Sequence, residues 1–267
     1  MTQGILLFAH DNEQIPYSLF AVWQANRISK WLQKPVSLVT DRASIANLLK
    51  LNIDVYKIFD KIILEETIES QYKNYNGKQL NFKNIDRCKS WELTPYDETI
   101  VMDTDIAIQS DRLNLLWNNI NDMLVCRKTH DPFNRNFVGF DWLSNYGIKF
   151  YWATVFYFKK TEETKIFFNL CQHIKENYNW YAFVNDFGTK YIRNDYIWSI
   201  ALNHLGNINE IPFTIAYTLD QDDIISMTDN FVTVFNNDKL IKVEGIDFHL
   251  MNKFSLLEKV KEELHYE

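Results

Sequence analysis

Asp103-Thr104-Asp105 follows the apolar run 99–102 (TIVM), which puts two carboxylates at i and i+2 where a strand gives way to a turn. Carboxylates so spaced can converge on one hard divalent cation such as Mg²⁺ or Mn²⁺. Left unpaired in a half-buried cleft they would repel each other, so a cation or a basic partner is expected. An ordinary acidic loop is the competing reading of so short a motif. Other side chains with chemical potential are Arg87, Lys89 and Ser90 upstream, Asn194-Asp195 at a helix start, and His249 and Lys253 in the run 247–253 (DFHLMNK). Taken singly, each is equally at home as a solvated helix face, a helix cap or a hydrogen-bonded histidine.

The elements that must position these residues follow from the hydrophobic pattern. Residues 4–9 (GILLFA) predict a buried strand, 16–32 a helix with Pro16 at its first turn, 36–40 (VSLVT) a second strand and 43–51 a second helix. A third strand is expected over 56–64, a short helix over 82–93 stopped by Thr94-Pro95, and a strand over 99–102 running into Asp103. This βαβαβ rhythm implies an α/β fold with a mainly parallel, doubly wound, Rossmann-like sheet. Ligands of such sheets bind at the carboxyl ends of the strands, here Ala9 to Asn12, Asp41, and Asp103 to Asp105. The second half is less regular. It predicts a strand over 150–158, helices over 162–178 and 195–205, strands near 231–235 and 240–243, and a charged amphipathic helix from Ser255. No repeat or linker divides the chain, so one domain over 1–267 is expected, its 106–267 half supplying the floor and acceptor side of whatever the 1–105 half binds.

Composition removes several function classes. With 267 residues and 46% hydrophobic content the chain can bury a substantial core. Seven glycines, at 4, 77, 139, 147, 188, 206 and 245, never take the spacing of G-x-G-x-x-G or of a P-loop. Any bound phosphate must therefore be neutralised by something other than a glycine-rich loop. Three cysteines without a C-x-x-C point to free thiols in a reducing, cytoplasmic setting. No apolar stretch approaches the roughly 18 residues of a membrane span. A net charge of −7 gives no global field for polyanions and disfavours nucleic acid without excluding it. Aromatic residues, 15% of the chain and dense from Phe133 to Trp198, suit a groove that stacks on sugars or bases.

Arg87-Cys88-Lys89-Ser90-Trp91-Glu92-Leu93-Thr94-Pro95-Tyr96-Asp97, then Val101-Met102-Asp103-Thr104-Asp105, resembles the GT-A glycosyltransferases, especially the glycogenin-like, family-eight type. An Arg-containing helix, a Leu-Thr-Pro-Tyr-Asp turn and an Asp-x-Asp strand end occur there in this order. The stretch from Gly4 through Tyr17 to Asp41 looks like the nucleotide-binding opening of that family, and His249 to Lys253 like its late His-x-x-x-Lys motif. The resemblance implies that Asp103 and Asp105 bind Mn²⁺ or Mg²⁺ with His249 as third ligand, Asp103 also lying near the ribose. It implies that Lys253 contacts the diphosphate and that Arg87 sits over the donor sugar or diphosphate, with Lys89 and Ser90 as helpers. Ala9, Asn12, Tyr17 and Asp41 would hold the uridine, although Tyr17 as core packing and Asp41 as a helix cap remain open. Asn194-Asp195 resembles the acidic segment beside the donor sugar, but Tyr196 replaces its usual third acid. Asp195 is thus a catalytic carboxylate, a sugar-hydroxyl binder or a cap; Asp186 is a weaker acceptor-side candidate.

The implied activity is transfer of a sugar from a nucleotide-diphosphate donor, uridine-linked, to an acceptor hydroxyl with retention of configuration. The acceptor is left open among a glycan, a lipid-linked sugar, a protein and a hydroxymethylated DNA base. A non-catalytic carbohydrate- or nucleotide-binding protein on the same fold is the alternative. An Asp-x-Asp phosphatase fits poorly, because that nucleophilic motif normally follows the first strand, not residue 100.

Overall fold

The computed structural model describes every residue except 67–68, 76–77, 136–140, 144–146, 189–190, 207–208 and 266–267, and only the backbone of 74, 75 and 78. Gly77, Gly139 and part of the aromatic-rich segment therefore lie outside the described residues.

The first half alternates as its sequence implies: β1 (Gln3–Phe8), α1 (Tyr17–Trp31), β2 (Val36–Thr40), α2 (Arg42–Lys50), the short α3 (Val55–Ile58) and β3 (Lys61–Leu64). A hairpin of β4 (Gln71–Tyr75) and β5 (Lys78–Phe82) comes next, then a 3-10 turn (Arg87–Lys89), α4 (Ser90–Leu93), β6 (Glu98–Met102) and the two-residue β7 (Ile106–Ala107). The second half runs β8 (Met123–Cys126), β9 (Thr129–His130), β10 (Trp152–Lys159), α5 (Glu162–Glu176), α6 (Tyr178–Val184) and α7 (Asn194–Leu205). It closes with β11 (Ile215–Tyr217), β12 (Asp223–Met227), β13 (Phe231–Asn236), β14 (Lys239–Glu244), β15 (Phe248–His249) and α8 (Lys253–Glu263).

A central six-stranded sheet has the order β3-β2-β1-β6-β10-β8. β1 pairs in parallel with both β2 and β6, and β2 with β3, whereas β10 is antiparallel to β6 and β8. Both faces are covered, so the strands carry unbroken apolar runs and neighbouring residues serve opposite layers. Ile5 and Leu7 of β1 pack into one core with α1, α2 and α8, while Leu6 and Phe8 pack into the other with α5 and α7. A small sheet β7-β15-β11-β9 lies beyond β6, and β12, β13 and β14 form an antiparallel meander. No helix among the described residues is long and apolar enough to cross a membrane.

Three expected elements change. Residues 82–93 are not one helix: Phe82 ends a strand and only 87–93 coil. The strand expected over 56–64 begins at Lys61, after a helical turn. The helix expected over 162–178 ends at Glu176, and α6 starts afresh at Tyr178. The aromatic segment is mostly core: Phe156, Phe158, Phe167, Phe168 and Trp198 form a buried cluster instead of a stacking groove.

Candidate active site

A cleft of about 500 Å³ opens at the carboxyl ends of β1 and β6. β6 ends at Met102, and the chain is then fixed twice: the Asp103 N–H donates to Thr154 O (2.8 Å), and Gln24 Nε2 of α1 donates to Asp103 O (2.7 Å). Those bonds hold both carboxylates of the Asp-x-Asp on the cleft wall. β7 starts directly after Asp105 and pairs antiparallel with β15, Ile106 opposite His249. The Leu250 N–H donates to Asp105 O at 2.9 Å. This two-residue pairing is what brings the histidine to the acids.

The imidazole Nε2 of His249 lies 3.4 Å from Asp105 Oδ1 and 3.7 Å from Asp103 Oδ2. One ligand atom from each of Asp103, Asp105 and His249 can be chosen so that all lie within 4.8 Å of one another. Asp105 Oδ1 is buried and accepts no hydrogen bond from the described residues. Burial, with the Arg87 charge adding to it against Asp195 and Asp220, lowers the His249 pKa to about 4, so its imidazole is neutral at physiological pH. Two carboxylates and a neutral imidazole are a donor set that fits a divalent cation, and the nitrogen favours Mn²⁺ over Mg²⁺.

Cations flank this cluster. Arg87, in the 3-10 turn after the hairpin, pairs with Asp103, and its Nη1 donates to Ala153 O at 2.8 Å. Lys253, the first residue of α8, pairs with Asp105 and donates to Leu250 O at 3.0 Å. Burial lowers the Arg87 pKa to about 10, opposed by Asp195 and Tyr17. On the far wall the Ala153 N–H donates to Asp195 Oδ1 (2.9 Å), and Arg193 Nη2 donates to Asp195 Oδ2 (3.0 Å). Burial pushes the Asp195 carboxyl up, but Arg193, the Ala153 N–H and Arg87 outweigh it and hold the pKa below the usual range. One residue, Ala153 of β10, therefore ties Arg87 to Asp195 through its N–H and its carbonyl.

The structure brings Asn12, Tyr17, Arg87, Asp103, Asp105, Asp195, His249 and Lys253 to the cleft. It leaves Ala9, Asp41, Lys89, Ser90 and Asp186 off the lining. Ala9 is core, its carbonyl accepting from Thr40 Oγ1 at 2.6 Å. Asp41 caps α2, accepting from the Ser44 N–H at 2.7 Å. Lys89 is drawn away by Glu65 and Asp86, Ser90 bonds back to Arg87 O at 2.6 Å, and Asp186 is an exposed turn residue. Asn12 faces the cleft as a turn former: its Oδ1 accepts from the N–H groups of Gln14 (2.9 Å) and Ile15 (2.8 Å). Tyr17 is both core and lining, edge-on to Phe20 and Phe82. Sequence reasoning missed Lys73, Leu80, Trp152, Tyr191, Arg193 and Asp220, which also line the cleft. The signal was present for Arg193, one residue before Asn194-Asp195; the hairpin carrying Lys73 gave none.

No protein-family model matches the chain, and no curated protein sequence does. Solved structures do match. An active-site variant of LgtC is 14% identical, with a TM-score of 0.50 over 78% of this chain and 72% of its own. LgtC, a galactosyltransferase solved with donor and acceptor sugar analogs, gives 14% and 0.49 over the same 78% and 72%. The glycosyltransferase GlyE of Streptococcus pneumoniae TIGR4 gives 11% and 0.49 over 79% of this chain, which spans only 46% of GlyE. At such identity the likeness is one of fold: the chain has the GT-A fold, mixed α/β around a mainly parallel central sheet.

Proposed function

We propose that this chain is a metal-dependent glycosyltransferase that moves a sugar from a nucleoside-diphosphate donor, uridine-linked, to an acceptor hydroxyl with retention of configuration. The observation that carries the reading is the meeting of Asp103, Asp105 and His249 at one point of the cleft, flanked by Lys253 and Arg87. A bound Mn²⁺ would supply Lewis-acid stabilisation of the charge that accumulates on the departing diphosphate. Lys253 adds a point charge to the same leaving group, and Arg87 a fixed guanidinium with several donors. Asp195, kept ionised by its partners, offers negative charge to the positive anomeric carbon. Asn12 and Tyr17 frame the base. Retention follows from the resemblance to the glycogenin-like group. We read the chain as a single domain at work in the cytoplasm, in keeping with three buried free thiols, Cys88, Cys126 and Cys171.

The test is hydrolysis of a panel of nucleotide sugars with and without Mn²⁺, beside the thermal shift given by UDP. Expected are Mn²⁺-dependent hydrolysis and a UDP shift that also needs the metal, both lost in Asp105→Ala. Absence of both in the wild-type protein sinks the reading. The acceptor class, whether glycan, lipid-linked sugar, protein or hydroxymethylated DNA base, is tested by transfer assays and by an electrophoretic shift of duplex DNA.

A further inference from the structure

Among the described residues four cations line the cleft, and three of them are matched: Arg87 with Asp103, Lys253 with Asp105, and Arg193 with Asp195. The fourth, Lys73, forms no ion pair among the described residues. It stands on β4 two residues after Gln71, so both side chains share one face of the ribbon. Gln71 anchors that face to the Asp195 wall: its Nε2 donates to Ile192 O (2.6 Å), and the Ile192 N–H donates to its Oε1 (2.8 Å). Across the ribbon Lys73 is opposite Leu80 and Gln71 is opposite Phe82. Leu80 and Phe82 line the cleft too, and the Lys73 ammonium sits 3.7 Å from the Phe82 ring centroid. An aromatic face and a leucine are poor substitutes for a carboxylate.

The consequence is an amine that gives up its proton easily. Burial, and then the Arg193 charge, lowers the Lys73 pKa to about 7, with Arg87 acting the same way and Asp195 and Asp220 against. Arg193 and Asp195, the charges that act on Lys73 most, belong to the wall that the glycosyltransferase reading assigns to the donor sugar, although Lys73 also bears on Lys253, which that reading assigns to the diphosphate.

We propose that Lys73, with Arg193 behind it, recognises an anionic sugar, one bearing a carboxylate or phosphate, on either the donor or the acceptor. This rests on the glycosyltransferase reading above. A negative group on the sugar gives Lys73 the direct ion-pair partner it lacks among the described residues, and a charge-assisted hydrogen bond in a half-buried site separates it from a neutral sugar.

Binding of UDP, UDP-glucose and UDP-glucuronate with Mn²⁺ is measured first. Binding of methyl glucoside, methyl glucuronide and glucose 6-phosphate to protein saturated with UDP and Mn²⁺ follows, all for wild type, Lys73→Met and Lys73→Arg. Expected is a preference of about tenfold or more for the anionic member of the donor set or of the acceptor set. Lys73→Met abolishes that preference while leaving UDP affinity within about twofold, and Lys73→Arg retains it. A preference among the nucleotide sugars assigns the charge to the donor; one among the free sugars assigns it to the acceptor. The proposal is overturned if UDP binds and neither set shows a preference, or if Lys73→Met weakens UDP itself, which would put Lys73 on the diphosphate. Failure of wild type to bind UDP with Mn²⁺ is a separate outcome that removes the parent reading and this one with it.

Discussion

Asp103 and Asp105 are each paired with a cation of the protein's own, Arg87 and Lys253. A divalent ion competing for those carboxylates must dislodge both side chains, which then need new partners in a buried cleft. A nucleoside diphosphate would provide them, so metal and nucleotide should bind with positive coupling, each improving the other by the same factor. Titration of Mn²⁺ in the presence and absence of UDP checks this; equal Mn²⁺ affinities would show no coupling. His249→Ala should weaken Mn²⁺ by more than the roughly tenfold lost on mutating an outer-shell partner, with an unchanged far-UV spectrum. Asp103 and Asp105 stand out in the sequence as an Asp-x-Asp at the end of an apolar run, whereas Arg87, His249 and Lys253 enter only through the resemblance to the glycogenin-like group; all five line the one cleft. Lys73 and Asp220 could not be read in either way. Their role depends on which polar segments fold over the cleft, and neither lies in a pattern that marks a site. Asp41 had two readings of similar weight, and its bond to the Ser44 N–H makes it the cap of α2.

Among elements, β1 contains a glycine where a strand normally avoids one, and the reason lies in its neighbour. A Cβ on Gly4 would fall 2.3 Å from Tyr96 Cζ. The ring is not free to yield, since its hydroxyl bonds Ser37 Oγ (2.7 Å) and Asp60 Oδ2 (3.1 Å). Gly4→Ala should therefore cost about 1–3 kcal/mol in urea unfolding, as other overpacked sites do. In a double-mutant cycle with Tyr96→Leu much of that cost should vanish; purely additive losses would place the strain elsewhere. The strands and helices from β1 to α2, and β6, were legible because their apolar runs and helical spacing are strong. The hairpin was not, because Gln71–Tyr75 and Lys78–Phe82 are largely polar and lack clear alternation. Phe82, Ile85 and Cys88, three residues apart, imitate a helix face, although the chain coils only from Arg87 onward.

For the molecule as a whole, Asp247 links the small sheet to the loop after β7. Its Oδ1 accepts from the Gln109 N–H (2.9 Å) and Ser110 Oγ (3.2 Å), while Oδ2 is buried without a hydrogen-bond partner among the described residues. Burial raises its pKa from 3.8 to about 6, against the pull of those bonds. With the folded-state value above the unfolded one, its contribution is fully present below pH 3.8 and is lost as pH rises through about 6. Asp247→Asn keeps the acceptor and removes the charge. Without added metal the variant should melt higher than wild type near about pH 7.5, and the gap should close toward about pH 4. A constant gap across that range would mean the carboxyl does not titrate as its burial dictates. The same stretch of chain carries a consequence for biosynthesis. The short pairing of β15 with β7 brings His249 and Lys253 to the two aspartates, and α8 is moored to α1 by Glu263, which binds Arg27 and Trp23 Nε1. On the ribosome, Asp103 and Asp105 emerge long before the residues that complete their cluster, a contact of long sequence separation that forms late. A nascent or prematurely terminated chain thus carries the acids but not the histidine and lysine, and donor turnover should switch on in one step, when residues 247–263 dock.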